Sequence, residues 1–412
     1  MALLAGLICA STSFVGSSVS PAYADPEDPP AHQDPPPADP DPPLSTTVSA
    51  WLGAWTISNL SGGTGVLTAN KNAALLNEVD LFWNHLSASG SGVAVTSEVA
   101  TATRVDSALT LMHGNGYKIM MTVTDGSGYR HLARAIRRPV LRQNTINKLV
   151  AMGSDSRVDG IDLDLEGFAF NDGRGSWPST RAAWIPFIHQ LSDALHAQGK
   201  LLSVTVPPVN SWKQNSSSGY WVYAANVIAP FVDRVKFMMY DYSFVRPGPI
   251  APIGWVRSRT ALYKTAIPAS KLQIGVPGYG RDWVARWPRG KKRGQMKIVG
   301  KCPVNKAVST SMSTVSTSGI DTYLAGLGLT RANLVRDRYG ELRLNYFLTY
   351  TGLRNHKNLR QTTCQVFHEA HLSDSASIIQ RARFAKNTGI NGISLWHLTG
   401  IDQDTYDQLA AL

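Results

Sequence analysis

The chain has 412 residues, of which 43% are hydrophobic and 17% are charged, and its formal net charge is +11. This composition excludes an intrinsically disordered protein for most of the chain, because enough apolar side chains are present for one large domain or two ordinary ones. Beyond the first two dozen positions there is no run of about 18 apolar residues, so we expect no membrane-spanning helix in the main part of the protein.

The first 24 residues contain no charged side chain and end in Ala22-Tyr23-Ala24. An apolar segment that ends in small residues is typical of a secretory signal peptide, so we expect residues 1–24 to be removed on export and the protein to be secreted. The segment lacks the basic residues that usually precede the apolar region of a signal peptide. A translation start further upstream therefore stays open. The alternative interpretation is an apolar tail without structure.

Residues 25–43 form a second unusual segment, DPEDPPAHQDPPPADPDPP. Proline removes backbone hydrogen-bond donors and the acidic side chains repel one another, so the pattern predicts an extended linker. Six of the 29 acidic residues and none of the 40 basic residues lie before residue 44, which leaves residues 44–412 with a formal net charge of +17. A domain of this charge attracts polyanions. Nucleic acid is one candidate, but for an exported protein we favour acidic cell-wall polymers and expect no nucleic-acid partner.

Part of the basic charge is concentrated in RWPRGKKRGQMK, residues 286–297. We interpret this segment first as a solvated loop and second as a docking patch for anionic polymers.

We expect the protein to be a monomer.

From residue 49 onward, short β-rich runs alternate with longer helical patterns, which is typical of strand and helix units that build a parallel sheet. Eight strand candidates occur, in chain order, at 49–57, 78–86, 117–124, 158–166, 200–207, 234–242, 271–279 and 391–398. Amphipathic helix patterns occur between them at 103–113, 143–152, 179–200, 255–266 and 376–388. Eight such units predict an α/β fold, a (β/α)8 TIM barrel that accounts for the whole of 49–412.

The longest interval between strand candidates lies between the seventh and the eighth. Residues 283–365 within it predict a small α+β insertion on the rim of the barrel. Cys302 and Cys364 lie in this insertion, whereas Cys9 lies in the predicted signal peptide. Two remaining thiols in an oxidising compartment predict one disulfide, which stabilises the fold by roughly 3 to 5 kcal/mol in the loop-entropy model. The alternative is two unpaired buried cysteines. Neither has His or Cys at metal-ligand spacing, and we expect no metal and no cofactor.

The fourth strand candidate carries the densest group of acids in the chain, in VDGIDLDLEGF at 158–168. Side chains alternate faces along a strand, so Asp162, Asp164 and Glu166 share one face, opposite an apolar face. We call these three residues the acid row. In a barrel the apolar face meets the helices, so the acid row is predicted to point inward and to climb toward the C-terminal end of the strand, where such barrels place their active sites.

Carboxylates spaced by two strand residues lie about 6 to 7 Å apart and repel one another. In a confined site this repulsion raises the pKa of at least one carboxyl, so we expect one acid to keep its proton near neutral pH, as a general acid must. Two alternatives remain open at this point: a structural acid cluster neutralised by Arg or Lys, and a Ca²⁺ or Mg²⁺ site.

The run DGIDLDLE at 159–166 resembles the DxxDxDxE signature of glycoside hydrolase family 18, the chitinase-like family, at all four acidic positions. Three further segments are similar to that family in order and spacing: FMMYD at 237–241, IGVPGYGRDW at 274–283 and GISLWHL at 392–398. The resemblance covers nearly all of 49–412.

The resemblance implies roles for the acid row. Glu166 would be the general acid and later the base, and Asp164 would orient the acetamido group of the substrate and stabilise its developing charge. Asp162 would share a proton with Asp164 or accept one from it. The resemblance also implies that the acetamido carbonyl of the substrate replaces a protein nucleophile and that configuration is retained. The substrate is then a glycan that contains N-acetylated hexosamine.

The other matching segments supply the substrate-binding residues that the resemblance implies. Tyr240 would hold the acetamido oxygen, and Asp241 would hydrogen-bond nearby sugar or acetamido groups. Trp396 would form the apolar floor beneath the cleaved sugar. We assign no role to His397.

One segment departs from the chitinases: MTVTDGSG at 121–128 stands where many chitinases have a Ser-x-Gly-Gly pattern. Together with FWNHL at 82–86, it is more similar to the branch that contains spore-germination and cell-wall N-acetylglucosaminidases. The expected substrate is therefore peptidoglycan, and the basic charge fits an anionic bacterial wall. The alternatives are a chitinase that acts on chitin and a chitinase-like lectin that binds glycans without cutting them. Retention of Glu166 argues against the lectin.

Sugars stack on aromatic faces, so tryptophans at predicted strand ends are candidate sugar platforms: Trp83, Trp283 and Trp396. Three others sit at core spacing and are predicted to pack inside the fold: Trp51, Trp184 and Trp255.

Overall fold

The structure is a computed structural model, and it describes residues 47–57, 63–89, 92–97, 102–126, 131–167, 174–213, 219–285, 298–308, 311–355 and 358–412. The predicted signal peptide, the predicted linker and the basic segment 286–297 lie outside the described residues. These three assignments therefore stay predictions.

The described residues form fifteen strands. In chain order they are β1 (Thr47–Gly53), β2 (Glu78–Ser89), β3 (Gly92–Ser97), β4 (Lys118–Gly126), β5 (Gly160–Asp164), β6 (Leu201–Val206), β7 (Arg234–Phe237), β8 (Leu272–Pro277), β9 (Tyr279–Val284), β10 (Ile298–Gly300), β11 (Ser313–Ser316), β12 (Val335–Arg336), β13 (Leu342–Asn355), β14 (Asn358–Leu372) and β15 (Gly392–Trp396).

The same part of the chain forms ten α-helices. They are α1 (Gly63–Lys71), α2 (Ala102–Met112), α3 (His131–Arg137), α4 (Pro139–Gly153), α5 (Trp177–His196), α6 (Ala225–Ile228), α7 (Ile253–Tyr263), α8 (Ile320–Gly326), α9 (Ser375–Asn387) and α10 (Gln403–Ala410). A search of the described residues finds no helix with the length and apolar character that a bilayer span requires.

Eight parallel strands close into a barrel in the order β1, β2, β4, β5, β6, β7, β8, β15, and β15 pairs again with β1. Each overlaps one of the eight strands predicted from the sequence, and helices lie between them, so the predicted TIM barrel is confirmed. β3 is an antiparallel hairpin partner of β2 and adds no strand to the circle.

Helix α5 belongs to the outer layer of helices, and its sequence explains where it begins, which face it packs against the barrel and where it ends. Pro178 lies in its first turn, where the helix needs no backbone donor. The side chains that recur at three- and four-residue steps are buried against the barrel: Trp184, Phe187, Ile188, Leu191 and Leu195. Gly199 follows with φ +67°, a left-handed conformation that glycine adopts without steric cost, and it reverses the chain toward β6. The predicted helix 179–200 is thus present and begins two residues earlier than expected.

The interior of the barrel is polar, although barrels of this type are commonly filled with branched apolar side chains. Ser49 Oγ lies 2.8 Å from Ser394 Oγ, and Ser394 Oγ donates to Gln273 Oε1 at 2.8 Å. Charged side chains lie inside the barrel too, among them Lys236 and Asp80, and both are fully buried. The site described below is therefore continuous with a polar column inside the barrel.

A second, antiparallel sheet stands between β8 and α9, as predicted for the α+β insertion. Its strand order is β11, β9, β14, β13, β12, and β10 also pairs with β14. The sheet extends from residue 279 to residue 372, wider than the predicted 283–365, because β9 begins two residues after β8 ends and β14 continues almost to α9. It has a small core of its own, formed by Val315, Ile320, Leu324, Leu342, Leu344, Ala370 and Leu372.

The predicted disulfide joins Cys302 to Cys364 across 62 residues of sequence, with their Cα atoms 4.7 Å apart. Cys364 lies in β14 and packs beside Val284 and Val366. The bond therefore ties the segment that follows β10 to the central strand of the insertion.

Candidate active site

The acid row occupies the C-terminal half of β5. Asp162 and Asp164 lie inside the barrel and are 0% and 4% exposed, while Glu166 lies two residues beyond the strand end and is open to solvent at the barrel mouth. The alternating residues Leu163 and Leu165 are buried in the apolar core. The inward orientation follows from this alternation, since only the leucine face matches the apolar surface of the helices.

Asp162 is held by donors from three other strands of the barrel, β1, β4 and β6. Its Oδ2 accepts hydrogen bonds from Trp51 Nε1 and Thr122 Oγ1, each at 3.1 Å, and its Oδ1 accepts one from Thr205 Oγ1 at 3.0 Å. Lys236 Nζ lies 4.0 Å from the same Oδ1. The Asp162 carboxyl group is thereby fixed in position on both of its oxygens.

Asp164 is buried but far less engaged. Its Oδ1 has no hydrogen-bond partner among the described residues. Burial raises the pKa of Asp164 well above its usual value, and the nearby charges of Glu166 and Asp162 raise it further. Asp164 is therefore suited to keep a proton at neutral pH and to offer an oxygen to a ligand above it.

Glu166 combines access with an unusual pKa. Although solvent reaches its side chain, the surrounding protein desolvates the carboxyl, and this effect together with the negative charge of Asp241 raises the pKa of Glu166 to about 7. The Tyr223 hydroxyl donates to the backbone oxygens of Leu165 and Glu166, at 2.5 and 2.8 Å, and fixes the chain where it leaves β5. A carboxyl with this pKa can both donate and accept a proton near neutral pH.

Tyr240 and Asp241 follow β7 at the same end of the barrel. Asp241 has φ 55°, a left-handed conformation that Asp tolerates better than most residues. Its carboxylate accepts from the Tyr279 hydroxyl at 2.6 Å and from Arg281 Nη2 at 2.7 and 2.8 Å. Burial, followed by the negative charge of Asp164, raises the pKa of Tyr240 well above its usual value, so its hydroxyl stays a neutral donor.

Trp396 ends β15, half-buried, within a group of aromatic rings. Its ring centroid lies 4.8 Å from Phe82, 5.9 Å from Trp51 and 6.3 Å from Trp55, with the planes at steep angles in each pair. Trp55 is 43% exposed, so this aromatic group reaches the surface of the barrel mouth. The packing holds the Trp396 ring in one orientation.

The structure thus brings all six predicted site residues to one end of the barrel: Asp162, Asp164, Glu166, Tyr240, Asp241 and Trp396. Tyr240 is coupled electrostatically to Asp164, Glu166 and Asp241. Trp396 is joined to the acid row through Trp51, whose indole contacts its ring and donates to Asp162.

Two predicted sugar platforms are wrong. Trp83 is 0% exposed, because it alternates with the inward-facing residues of β2 and packs under the helices instead. Trp283 is 4% exposed, and its indole donates to the backbone oxygen of Phe244 at 3.0 Å. Neither ring has a face that a sugar can reach.

The first acid of the run serves the backbone rather than the site. Asp159 Oδ2 accepts a hydrogen bond from the Ile119 backbone N–H at 2.7 Å, which fixes β5 against β4. Of the four acids in the signature, only Asp162, Asp164 and Glu166 therefore belong to the cleft.

Sequence reasoning missed four charged residues around the site: Glu78, Asp80, Lys236 and Arg281. Lys236 Nζ lies 2.6 Å from Asp80 Oδ1 and 2.8 Å from Glu78 Oε1. The signal was available in the sequence, because charged and apolar residues alternate in EVDLF and RVKF as they do in the acid row. Arg281 stands in the matching segment IGVPGYGRDW, two residues before the predicted sugar platform Trp283, but received no role of its own.

A metal site and a structural cluster were the two alternatives for the acid row. Within the described residues no group of three His, Cys, Asp or Glu side chains is arranged to hold a metal ion. Lys236 forms ion pairs with Glu78 and Asp80, as in a structural cluster, whereas no ion pair links Asp164 or Glu166 to a described cation. The upper part of the acid row is therefore not satisfied by the protein itself.

Comparison with known proteins gives a family match. A sequence model described as "Glycosyl hydrolases family 18" matches residues 86–402, more than three quarters of the chain. The cortical fragment-lytic enzyme of Bacillus subtilis is 27% identical over 225 residues, which are 54% of this chain and 44% of that enzyme. The cortical fragment-lytic enzyme of Bacillus anthracis is 25% identical over 283 residues, which are 68% of this chain and 56% of that enzyme. The chain spans from 35% to 56% of the length of the curated relatives that it matches.

Two solved structures share the fold. A chitinase from Chromobacterium violaceum aligns with a TM-score of 0.67 at 21% identity and covers 89% of this chain and 98% of that one. The Bacillus cereus spore cortex-lytic enzyme SleL aligns with a TM-score of 0.67 at 18% identity and covers 90% of this chain and 75% of that one. At these identities the likeness shows the fold alone.

Proposed function

The chain belongs to glycosyl hydrolase family 18, and from this premise we propose that it is a secreted, retaining glycosidase that cleaves β-linked N-acetylglucosamine glycans, with peptidoglycan as its substrate. One observation carries the proposal: Glu166, open to solvent and with its pKa raised to about 7, stands next to a buried Asp164 whose pKa is raised well above its usual value. This pair has the two protonation properties that glycoside cleavage without a protein nucleophile needs.

Glu166 is the proton donor in this proposal. A sugar bound across the barrel mouth places its glycosidic oxygen against the protonated carboxyl, and the proton moves to that oxygen as the bond to the anomeric carbon breaks. The carboxylate that remains then accepts a proton from the water that completes hydrolysis. A pKa near 7 suits both steps, because neither form is strongly disfavoured at neutral pH.

Asp164 acts on the acetamido group of the substrate. The acetamido carbonyl oxygen attacks the anomeric carbon and forms a cyclic oxazolinium ion, whose positive charge needs a carboxylate beside its N–H group. Asp164 supplies that carboxylate once its proton passes to Asp162. The Asp164 oxygen that lacks a hydrogen-bond partner supports this role, since it is free to bind the acetamido N–H.

Tyr240, Asp241 and Trp396 position the sugar. The neutral Tyr240 hydroxyl donates to the acetamido oxygen, and Asp241, oriented by Arg281, accepts from a sugar hydroxyl or the acetamido group. The half-buried ring of Trp396 offers an apolar floor under the sugar. Each contact holds the acetamido group near the anomeric carbon, which lowers the entropic cost of the attack.

Peptidoglycan is proposed over chitin for two reasons. The curated relatives named cortical fragment-lytic enzymes match more than half of the chain. The formal charge of +17 on residues 44–412 favours an anionic wall polymer over neutral chitin. The proposal includes export by residues 1–24 and weak docking of anionic polymers on the basic surface.

The test is incubation of the purified protein with bacterial wall sacculi and, separately, with chitin, followed by mass analysis of the released fragments. We expect fragments with N-acetylglucosamine at the new reducing end from sacculi, and β-anomers as the first product by NMR. Preferential release from chitin would make the protein a chitinase, and binding without release would make it a lectin. An α-anomer as first product would overturn the substrate-assisted mechanism.

A further inference from the structure

Lys236 is a fully buried cation with three carboxylates around it. Its Nζ lies 2.6 Å from Asp80 Oδ1, 2.8 Å from Glu78 Oε1 and 4.0 Å from Asp162 Oδ1. All four side chains are at most 1% exposed. Removing an ammonium and three carboxyl groups from water is costly, so their close approach calls for a function beyond packing.

The groups that face Lys236 come from several strands. Glu78 and Asp80 stand on β2 and Asp162 stands on β5, and the ring of Trp51 on β1 lies 5.4 Å from Nζ. On β7 itself, Arg234 Nε lies 4.0 Å from Glu78 Oε2. Burial alone would lower the pKa of Lys236, but Asp80, Glu78 and Asp162 outweigh it and raise that pKa overall, so the ammonium stays charged.

Lys236 is linked to the acid row by position and by charge. It lies beside Asp162 Oδ1, the oxygen that Thr205 also contacts. Its ammonium opposes the rise in the pKa of Asp164, and the carboxylate of Asp80 contributes to that rise, although both effects are smaller than those of burial, Glu166 and Asp162. Lys236 and Asp80 therefore change the pKa of Asp164 in opposite directions.

We propose that Lys236 is a positioning residue for the acid row: paired with Asp80 and Glu78, its ammonium lies beside Asp162 and brings a positive charge to the acid row, which sets the pH at which Asp164 can give up its proton. This inference rests on the proposed substrate-assisted mechanism, in which Asp164 must be ionised when the oxazolinium ion forms. Lys236 itself touches neither the substrate nor the reacting atoms.

Charge effects can be separated from loss of packing with two substitutions, Lys236→Met and Asp80→Asn. Both break the contact between Lys236 and Asp80, but they should shift the pH of the acid limb in opposite directions. Lys236→Met removes the cation, so the Asp164 proton is held more tightly and the acid limb of the kcat/KM profile moves to higher pH, by about one pH unit. Asp80→Asn keeps the side-chain shape and removes the carboxyl group whose negative charge adds to the rise in the pKa of Asp164, so the acid limb moves to lower pH. Burial raises the pKa of Asp80 itself, although the charge of Lys236 opposes that rise. A loss of packing alone would give both variants the same sign.

The experiment is the kcat/KM profile between pH 4 and 9 on a soluble N-acetylglucosamine oligomer, with the full chain as parent. The double variant Lys236→Met/Asp80→Asn removes one charge of each sign and should return the acid limb toward that of the parent. Melting curves of all variants show whether each is folded. Should Lys236→Met not fold, Lys236→Gln takes its place in the single and the double variant and keeps the predicted shift to higher pH, opposite to that of Asp80→Asn.

A second readout needs no turnover. The infrared carboxyl band of Asp164 is obtained by subtracting the spectrum of Asp164→Asn from that of the parent, and its midpoint is followed with pH in the Lys236→Met and Asp80→Asn backgrounds. Opposite shifts of the midpoint support the proposal even if the protein cuts none of the glycans tried. A failure to cut them would count against the proposed function alone. Shifts of equal sign, or an unmoved midpoint in either variant, overturn the proposal.

Discussion

Arg281 binds the carboxylate of Asp241 through Nη2 and Nε of its guanidinium group. Nη2 lies 2.7 Å from Oδ1 and 2.8 Å from Oδ2, and Nε lies 3.0 Å from Oδ1. Arg281 is 2% exposed and comes from the insertion sheet, whereas Asp241 follows a barrel strand. The insertion is therefore coupled to the site by a partly buried, charge-assisted contact and does more than cover the rim.

Substitution Arg281→Lys should lower kcat/KM by about ten- to a hundredfold. Lysine keeps the positive charge but cannot form the fork of parallel hydrogen bonds, so Asp241 loses its fixed orientation. The kinetic constants of parent and variant on the same oligomer measure the effect. The fold should survive, because the charge pair is kept, and a parent-like kcat/KM would show that Asp241 needs no orientation by Arg281.

Glu166→Gln should reduce turnover by about a thousandfold or more while glycan binding stays close to that of the parent, since the amide fills the same space but has no proton to donate. Turnover is measured by release of reducing ends, and binding by calorimetry with an uncut oligomer. Asp159→Asn is the matched control: it makes the same kind of change in the same run, at a residue whose side chain accepts a hydrogen bond from the Ile119 backbone N–H, and should keep activity within about twofold. Wild-type turnover by Glu166→Gln would refute the assignment of the acid.

The alkaline limb of the activity profile should lie near pH 7, because the pKa of Glu166 is raised to about 7 and only its protonated form can start the reaction. Activity therefore falls as the pH rises through this value. Asp241→Asn removes a negative charge that helps to raise this pKa, so its residual activity should show the limb at lower pH. A limb that stays in place or moves upward in Asp241→Asn would contradict the coupling of the two carboxyls.

Loss of the disulfide should destabilise the insertion. The double substitution Cys302→Ser/Cys364→Ser opens a loop of 62 residues, and the loop-entropy model gives a loss of about 3 to 5 kcal/mol. Urea unfolding of the parent with and without reductant, beside the double variant, measures this free energy. The reduced parent and the variant should agree, and equal stability of the oxidised and reduced parent would show that the bond contributes nothing.

Sequence patterns were enough to predict the barrel, the acid row and a disulfide between Cys302 and Cys364. Alternation along β5 sends Asp162 and Asp164 to one face whatever the rest of the chain does, because side chains point to opposite sides at successive residues. The repeated strand and helix units predict a parallel sheet, and eight of them match the strand count of a (β/α)8 barrel. Alternation and the succession of elements are local properties, so a sequence pattern reveals them.

The distant residues that hold the site can be identified only in the folded barrel. Trp51 donates to Asp162 from 111 residues away, and Lys236 meets Asp80 across 156 residues. Barrel closure brings these strands together, and their pairing depends on register and strand tilt that no local period encodes. The same closure buries Trp83, which the sequence had suggested as a sugar platform, and leaves Trp55 exposed at the mouth. The type and spacing of a residue show which chemistry its side chain can perform. The neighbours and the burial of that side chain, and hence its charge, are set only when the chain has folded.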